Sequence, residues 1–146
     1  MKVKSLLTAL MAVFLFTGGA LADSGWYTDW DKASAESKKT GKPILIDFTG
    51  SDWCGWCIKL KKEVFDTPSF KKWANEKVVL LELDFPRSKP QPEAEKAKNK
   101  KLAQKYAIEG FPTIIFSNAK GDVLGRYGYD AGGPDVWTKK AEAFLK

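Results

Sequence analysis

The 146-residue chain contains no histidine. This absence excludes a cysteine–histidine catalytic dyad, and it removes the commonest nitrogen ligand from any metal site. Covalent haem attachment of the C-x-x-C-H type is also excluded, because Ile58 follows the second cysteine. Any proton transfer must therefore depend on a carboxylate, a lysine or water.

Cysteine is almost as scarce. The two cysteines, Cys54 and Cys57, lie three positions apart in the stretch SDWCGWCIKL, residues 51–60. Structural zinc normally takes four cysteine or histidine ligands, so no metal is predicted here. A purely structural disulfide gains little from closing so small a loop. The spacing favours a redox-active dithiol, with a copper(I) carrier as an alternative because two thiolates can hold a soft ion.

The N-terminal segment has the three parts of a secretory signal peptide. A basic start, MKVK, precedes an apolar run over residues 6–16, and Ala-Leu-Ala ends at position 22. The apolar run is shorter than the roughly 20 residues of a spanning helix and is followed by two glycines. We predict a signal peptide over 1–22 and a periplasmic domain over 23–146, without stable membrane insertion. Disulfides persist in that oxidising compartment.

The charge distribution indicates an ordinary solvated surface. The chain has 24 Lys and Arg against 18 Asp and Glu, and the lysines are interspersed with acids. No basic tract is separated from the acids, so no nucleic-acid partner is predicted.

Helical and strand patterns alternate along the chain. We predict helices over residues 30–40, 54–65, 68–77 and 135–145, another reaching Tyr106 from the polar segment 86–101, and strands over 44–48, 78–85, 112–116 and 123–129. Strands joined through helices favour parallel pairing, whereas the Lys-Gly-Asp turn favours an antiparallel hairpin. The pattern predicts an α/β fold with a central mixed sheet flanked by helices, the runs ILI, VVLL and TII lying in parallel strands.

The first cysteine lies where a predicted strand has ended and a helix begins. A helix N-terminus has unpaired N–H groups and a partial positive charge, both of which stabilise a thiolate. Cys54 is therefore predicted to be exposed and to attack, and Cys57, one turn deeper, to resolve the mixed disulfide. Trp53 and Trp56 add apolar surface for docking an extended partner.

Asp47 is the candidate for proton transfer. It lies within the apolar run ILIDF, where an acid is costly unless it has a function or a partner. The alternative interpretation is that its side chain faces outward at a strand end and is hydrogen-bonded to backbone.

The sequence resembles the thioredoxin superfamily over residues 26–146. The resemblance depends on PILIDF, on WCGWC opening a helix, on GFPTIIF downstream and on the Lys-Gly-Asp turn. The chain is most similar to exported thioredoxin-like proteins and to the C-terminal domain of membrane thiol:disulfide interchange proteins. This implies a thiol–disulfide oxidoreductase that needs no cofactor.

The resemblance also implies residue roles. Cys54 would attack, Cys57 would resolve, and Asp47 would match the family's buried acid. Pro112 would be a cis-proline facing the dithiol, with the backbone of Phe111 pairing with a substrate strand. The implied substrate-binding residues are Trp53, Gly55, Trp56, Phe111, Pro112 and Thr113.

Four features depart from thioredoxin itself. One extra residue separates Asp47 from Cys54, the lysine that partners the buried acid is missing from the strand VVLLEL, and residues 86–101 form an insertion. The insertion would lengthen a helix beside the site, contact a partner or form a solvated loop. Gly55-Trp56 replaces the Gly-Pro of thioredoxin, so its reducing strength does not transfer.

The predicted function is exchange of disulfides with protein substrates by a monomer, with an upstream thiol protein as electron donor. Similarity to reducing proteins favours a reductase, and a disulfide oxidase or isomerase is the alternative within this class. A thioredoxin-fold binding module without redox turnover is the alternative outside it.

Overall fold

The computed structural model describes residues 25–146, so the predicted signal peptide over 1–22 lies outside the described residues. The strands are β1 (Ile44–Thr49), β2 (Val79–Asp84), β3 (Thr113–Ser117) and β4 (Val123–Tyr127). The helices are α1 (Trp30–Thr40), α2 (Gly55–Leu60), α3 (Pro68–Lys77), α4 (Glu93–Lys105) and α5 (Gly133–Ala141). A π-helical turn, Lys61–Phe65, continues α2, and a 3₁₀ turn, Glu142–Phe144, follows α5.

The helix boundaries follow from capping residues. Asp29 caps α1 by accepting N–H groups from the first turn, and α1 ends at Gly41, whose φ of 73° suits glycine. Thr67 caps α3 and Pro68 takes the first turn, as predicted. The start of α5 was predicted two residues too late. Proline is tolerated in a first turn, so α5 includes Gly133 and Pro134, which precede the predicted start at residue 135.

The four strands form a mixed sheet in the order β2-β1-β3-β4, which confirms the predicted fold class. β1 and β2 are parallel, but β3 pairs antiparallel with β1, so the prediction of a parallel TII strand is wrong. The registers give the reason. β2 ends at Asp84 opposite Thr49, and β3 starts at Thr113 opposite Phe48. The connection from β2 to β3 therefore begins and ends at the same end of the sheet, so β3 runs antiparallel to β1.

Both faces of the sheet are covered by helices. Because side chains alternate along a strand, Ile44, Ile46 and Phe48 lie on one face, in a cluster with Ala33 of α1 and Tyr106. Leu45 lies on the other face, in a second cluster that contains Leu60, Val64, Phe70 and Trp137. Asp47 shares the face of Leu45, so its side chain points toward α2 and the π-helical turn.

The outer edge of β2 is partly covered by the segment before α1. The Tyr27 N–H donates to the Leu80 carbonyl (2.9 Å), and the Glu82 N–H donates to the Tyr27 carbonyl (2.8 Å). Within residues 25–146, no helix is both long and apolar enough to cross a membrane.

Candidate active site

The two cysteines form a disulfide immediately after the loop that follows β1. Cys54 is the N-cap of α2, and its Sγ accepts the Cys57 N–H at 3.2 Å. Cys54 is only 6% exposed and Cys57 4%. The prediction of an exposed Cys54 is therefore wrong for the disulfide form, because its sulfur is bonded to Cys57 and directed at the first turn of the helix.

The loop before Cys54 depends on a close approach between Gly50 and Trp53. The N–H groups of Trp53 and Cys54 both donate to the Gly50 carbonyl, at 3.2 and 2.9 Å. A Cβ at position 50 would overlap the Trp53 ring, so only glycine fits there. Gly55, by contrast, is exposed and has open space where a side chain would lie.

Trp53 is held from several directions. Its Nε1 donates to the Phe85 carbonyl at 2.8 Å, and the edge of its ring meets Phe111 at a centroid distance of 5.8 Å. The Arg87 guanidinium carbon lies 3.6 Å from the ring centroid, which is cation–π geometry. Trp53 is thereby held in a fixed position beside Cys54, and the contribution of Arg87 was not predicted from the sequence.

Residues 85–89, the clamp segment, are fastened to the active-site loop. The Asp52 carboxylate accepts the N–H groups of Arg87, Ser88 and Lys89 at 3.0, 2.7 and 3.0 Å. These hydrogen bonds, that from Arg87 first, lower the pKa of Asp52. The first part of the predicted insertion therefore contacts the site, and its later part is α4. The sequence signal for this contact was Asp52, an acid directly before WCGWC.

A second acid fastens the other end of this loop. Asp84, the last residue of β2, accepts the N–H of Ser51 at 2.9 Å and its hydroxyl at 2.6 Å. Lys89 forms a 3.1 Å ion pair with the same carboxylate.

The Phe111–Pro112 peptide bond is cis, as the resemblance implied. It directly precedes β3 at the sheet edge where β1 ends, and Phe111 packs against Trp53 and Phe85. Thr113 Oγ1 donates to the Gly110 carbonyl at 2.7 Å. All three predicted residues around this bond, Phe111, Pro112 and Thr113, are partly exposed, and Phe111 contacts Trp53 directly.

Trp56 belongs to a separate exposed patch on the other side. It is 57% exposed, and its ring contacts Tyr129 at a centroid distance of 5.0 Å. Lys59 Nζ lies 5.1 Å from the Trp56 centroid and 5.3 Å from that of Tyr129. The Tyr129 hydroxyl donates to Glu63 at 2.7 Å, which fixes the ring.

Asp47 is buried, and its Oδ1 has no hydrogen-bond partner. It lines a cavity of about 540 Å³ together with Cys57, Lys61 and Glu82. Burial raises the pKa of Asp47 well above its usual range, the Glu82 charge adds to the rise, and Lys61 opposes it. The alternative interpretation, an outward-facing acid bonded to backbone, is therefore wrong.

We expect D47N to be more stable than the unaltered chain at pH 7. Because the folded-state pKa of Asp47 is raised, the unfolded chain ionises this group more easily, and stability falls as pH rises from about 4 through the folded pKa. Each pH unit between the two pKa values corresponds to about 1.4 kcal/mol. Urea unfolding at pH 7 and below pH 4 measures the difference, which should vanish at the lower pH.

The exposed acid Glu76 supplies the control for this measurement, since E76Q removes a charge from α3 without touching the cavity. Equal stability of D47N, E76Q and the unaltered chain at pH 7 would contradict the prediction.

Within residues 25–146, no group of three or more histidine, cysteine, aspartate or glutamate side chains is arranged to hold a metal ion. The copper(I) alternative would depend on the two cysteine sulfurs alone, and here they are joined to each other.

The mixed sheet and the helix-capping C-x-x-C disulfide, together with a cis-proline directly before β3, define the thiol–disulfide oxidoreductases of the thioredoxin fold. Comparison with known families agrees, because the thioredoxin-like domain matches residues 30–133. The chain belongs to the thioredoxin-like domain family.

Individual relatives lie within the same class. The chain is 38% identical over 127 residues to the disulfide bond reductase DsbH of Chlamydia pneumoniae, covering 87% of this chain and 76% of that protein. A solved structure of a DsbH oxidoreductase superposes with a TM-score of 0.78 at 33% identity, covering 96% of this chain and 94% of the other. The oxidised C-terminal domain of Neisseria meningitidis DsbD shares the fold, with a TM-score of 0.60 at 17% identity and coverage of 80% and 97%.

Proposed function

We propose that this chain is an exported protein-disulfide reductase with Cys54 as its attacking residue. The observation that carries the proposal is the Cys57 N–H directed at Cys54 Sγ at the start of α2. That N–H and the helix N-terminus favour a negative sulfur at position 54 in the reduced state. The relative named disulfide bond reductase supports the reducing direction.

The reaction would proceed by two thiol–disulfide exchanges. The Cys54 thiolate attacks one sulfur of a substrate disulfide, so that a mixed disulfide forms and one substrate thiolate leaves. Cys57 then loses its proton and attacks the Cys54 sulfur, which forms the intramolecular disulfide and releases the second substrate thiolate. The substrate gains two electrons, and an upstream thiol protein returns two electrons to the pair.

Asp47 would accept the Cys57 proton. It lines the same cavity as Cys57, and its unpartnered Oδ1 is free to take a proton there. Its raised pKa means that it takes up a proton more readily than an ordinary aspartate does.

A substrate would bind over the surface around the disulfide, whose two cysteines are themselves nearly buried. Its extended chain would pair with the backbone beside the cis bond, at Phe111 and Thr113, and Pro112 would face the sulfurs. Trp53 and Trp56 would contact it from the two sides, with the exposed Gly55 leaving room between them.

We further propose that residues 1–22 direct export and that residues 23–146 are the mature periplasmic monomer. The support is the sequence pattern of a basic start, an apolar run and Ala-Leu-Ala. Its protein partners would be substrate disulfides and a donor thiol protein.

The reduction potential of the Cys54–Cys57 pair tests the direction. We expect a value near that of thioredoxin, about −270 mV, when the purified domain is equilibrated with glutathione mixtures and followed by tryptophan fluorescence. A value near −120 mV, typical of strong oxidants, would make the protein a disulfide donor instead. Absence of any reversible couple would contradict redox function and leave the binding module.

A further inference from the structure

A second carboxyl group lies beside Asp47. Glu82 is its direct partner in the parallel register of β1 and β2, so the two side chains project from the same face of neighbouring strands. Such strands lie about 4.8 Å apart. Both residues line the cavity that Cys57 also lines, and the buried Asp47 Oδ1 has no hydrogen-bond partner.

Two of the three lysines that line this cavity are already engaged in ion pairs. Lys61, from the π-helical turn, pairs with Asp66 at 3.0 Å, and Lys89, from the clamp segment, pairs with Asp84 at 3.1 Å. Lys62 also lines the cavity, on the side of the π-helical turn. The charged groups facing Asp47 and Glu82 are therefore ion-paired lysines, Lys62 and further carboxylates. The two acids are register partners on neighbouring strands.

Carboxyl groups on register partners of adjacent strands do not both ionise readily, because the second charge would form near the first. Burial raises the pKa of Glu82, and the Asp84 charge adds to it. Glu82 is less buried than Asp47, which places it nearer to solvent along the cavity. A single proton can thus be held by the pair and exchanged with water at the Glu82 side.

We propose that Glu82 is a positioning residue for the resolving step, sharing one proton with Asp47 and passing it between Asp47 and solvent. The inference rests on the proposed function, since it concerns the proton that Cys57 loses. When Cys57 attacks the Cys54 sulfur, its proton moves to the Asp47 carboxylate, then to Glu82, and leaves through the cavity. No electron passes through either acid.

The resolving step can be isolated by rapid mixing of the reduced protein with Ellman's reagent. Attack by Cys54 releases one thionitrobenzoate, and attack by Cys57 releases the second. The rate of the second release is measured against pH in the unaltered chain, in E82Q and in E76Q, whose charge lies on the exposed surface of α3. D47N identifies the part of the pH profile that depends on Asp47.

The rate of the second release should fall at low pH, and this fall is the acid limb of the pH profile. We expect E82Q to move the acid limb to lower pH by about one pH unit, because Asp47 then ionises without a neighbouring charge. E76Q should leave the limb in place. K61M, which removes the opposing cation, should move it to higher pH and tests the same pair if E82Q does not fold. A purely structural role for Glu82 would change stability without moving the limb.

The inference is overturned if the acid limb of E82Q coincides with that of E76Q, or if D47N keeps the limb of the unaltered chain. The proposed function fails separately, if the unaltered protein releases no second thionitrobenzoate at any pH.

Discussion

Cys54→Ser is expected to abolish disulfide exchange, and Cys57→Ser to stop the reaction at the mixed disulfide. Serine at position 54 leaves no thiolate to attack, and the chain has no other cysteine outside the pair. In C57S the attack still occurs, but nothing resolves the product. Reduction of insulin measures the loss of turnover, and mass spectrometry detects the trapped substrate on C57S.

The double variant C54S/C57S is the matched control, since it should show neither turnover nor a trapped adduct while keeping the fold. Adduct formation on C54S rather than on C57S would reverse the assigned roles. Full insulin-reduction activity in both single variants would rule out a redox function for the pair.

Trp137→Ala is expected to destabilise the domain by about 3–5 kcal/mol, a large part of the 5–15 kcal/mol typical of a folded domain. Trp137, on α5, is fully buried against the π-helical turn, α3 and β4, where its ring contacts Phe65, Phe70 and Tyr127. Its Nε1 also donates to the Gly128 carbonyl at 2.9 Å, and the substitution leaves that carbonyl without its partner. Urea unfolding followed by far-UV circular dichroism gives the difference.

Trp56→Ala provides the comparison, because the same side chain is removed from a position that is 57% exposed. Its effect should lie within about 0.5 kcal/mol of zero. Similar losses in W56A and W137A would show that the aromatic cluster beneath the sheet is not the main source of stability.

The sequence predicted the features that depend on neighbouring residues. The capping of α1 by Asp29 and the Thr67-Pro68 start of α3 are local signals, and the short branched run at β1 follows from alternation and burial. The position of the dithiol after β1 followed in turn, because a strand, a loop and a helix adjoin in the chain.

The direction of β3 was not predictable in the same way. It depends on the path of the 28 residues from 85 to 112, because this connection begins and ends at the same end of the sheet. The clamp segment was missed for a related reason: Asp52 and Ser88 are 36 positions apart, and their contact forms only when the sheet brings both ends together. To predict the orientation of Asp47, one must know which face of the sheet each residue of β1 points to. The core contacts of Leu45 show this, because Asp47 lies two positions further along the strand and shares its face.

The clamp segment also affects the susceptibility of the folded protein to proteolysis. An exposed loop with Arg87 before Ser88 would ordinarily be an early cleavage site for a trypsin-like enzyme, whereas Pro90 protects the bond after Lys89. Cleavage requires the backbone to extend into the protease, and here three successive N–H groups donate to the Asp52 carboxylate. Opening the loop would release Trp53 from its position beside Cys54, so the domain resists digestion at this loop for as long as its redox site stays assembled.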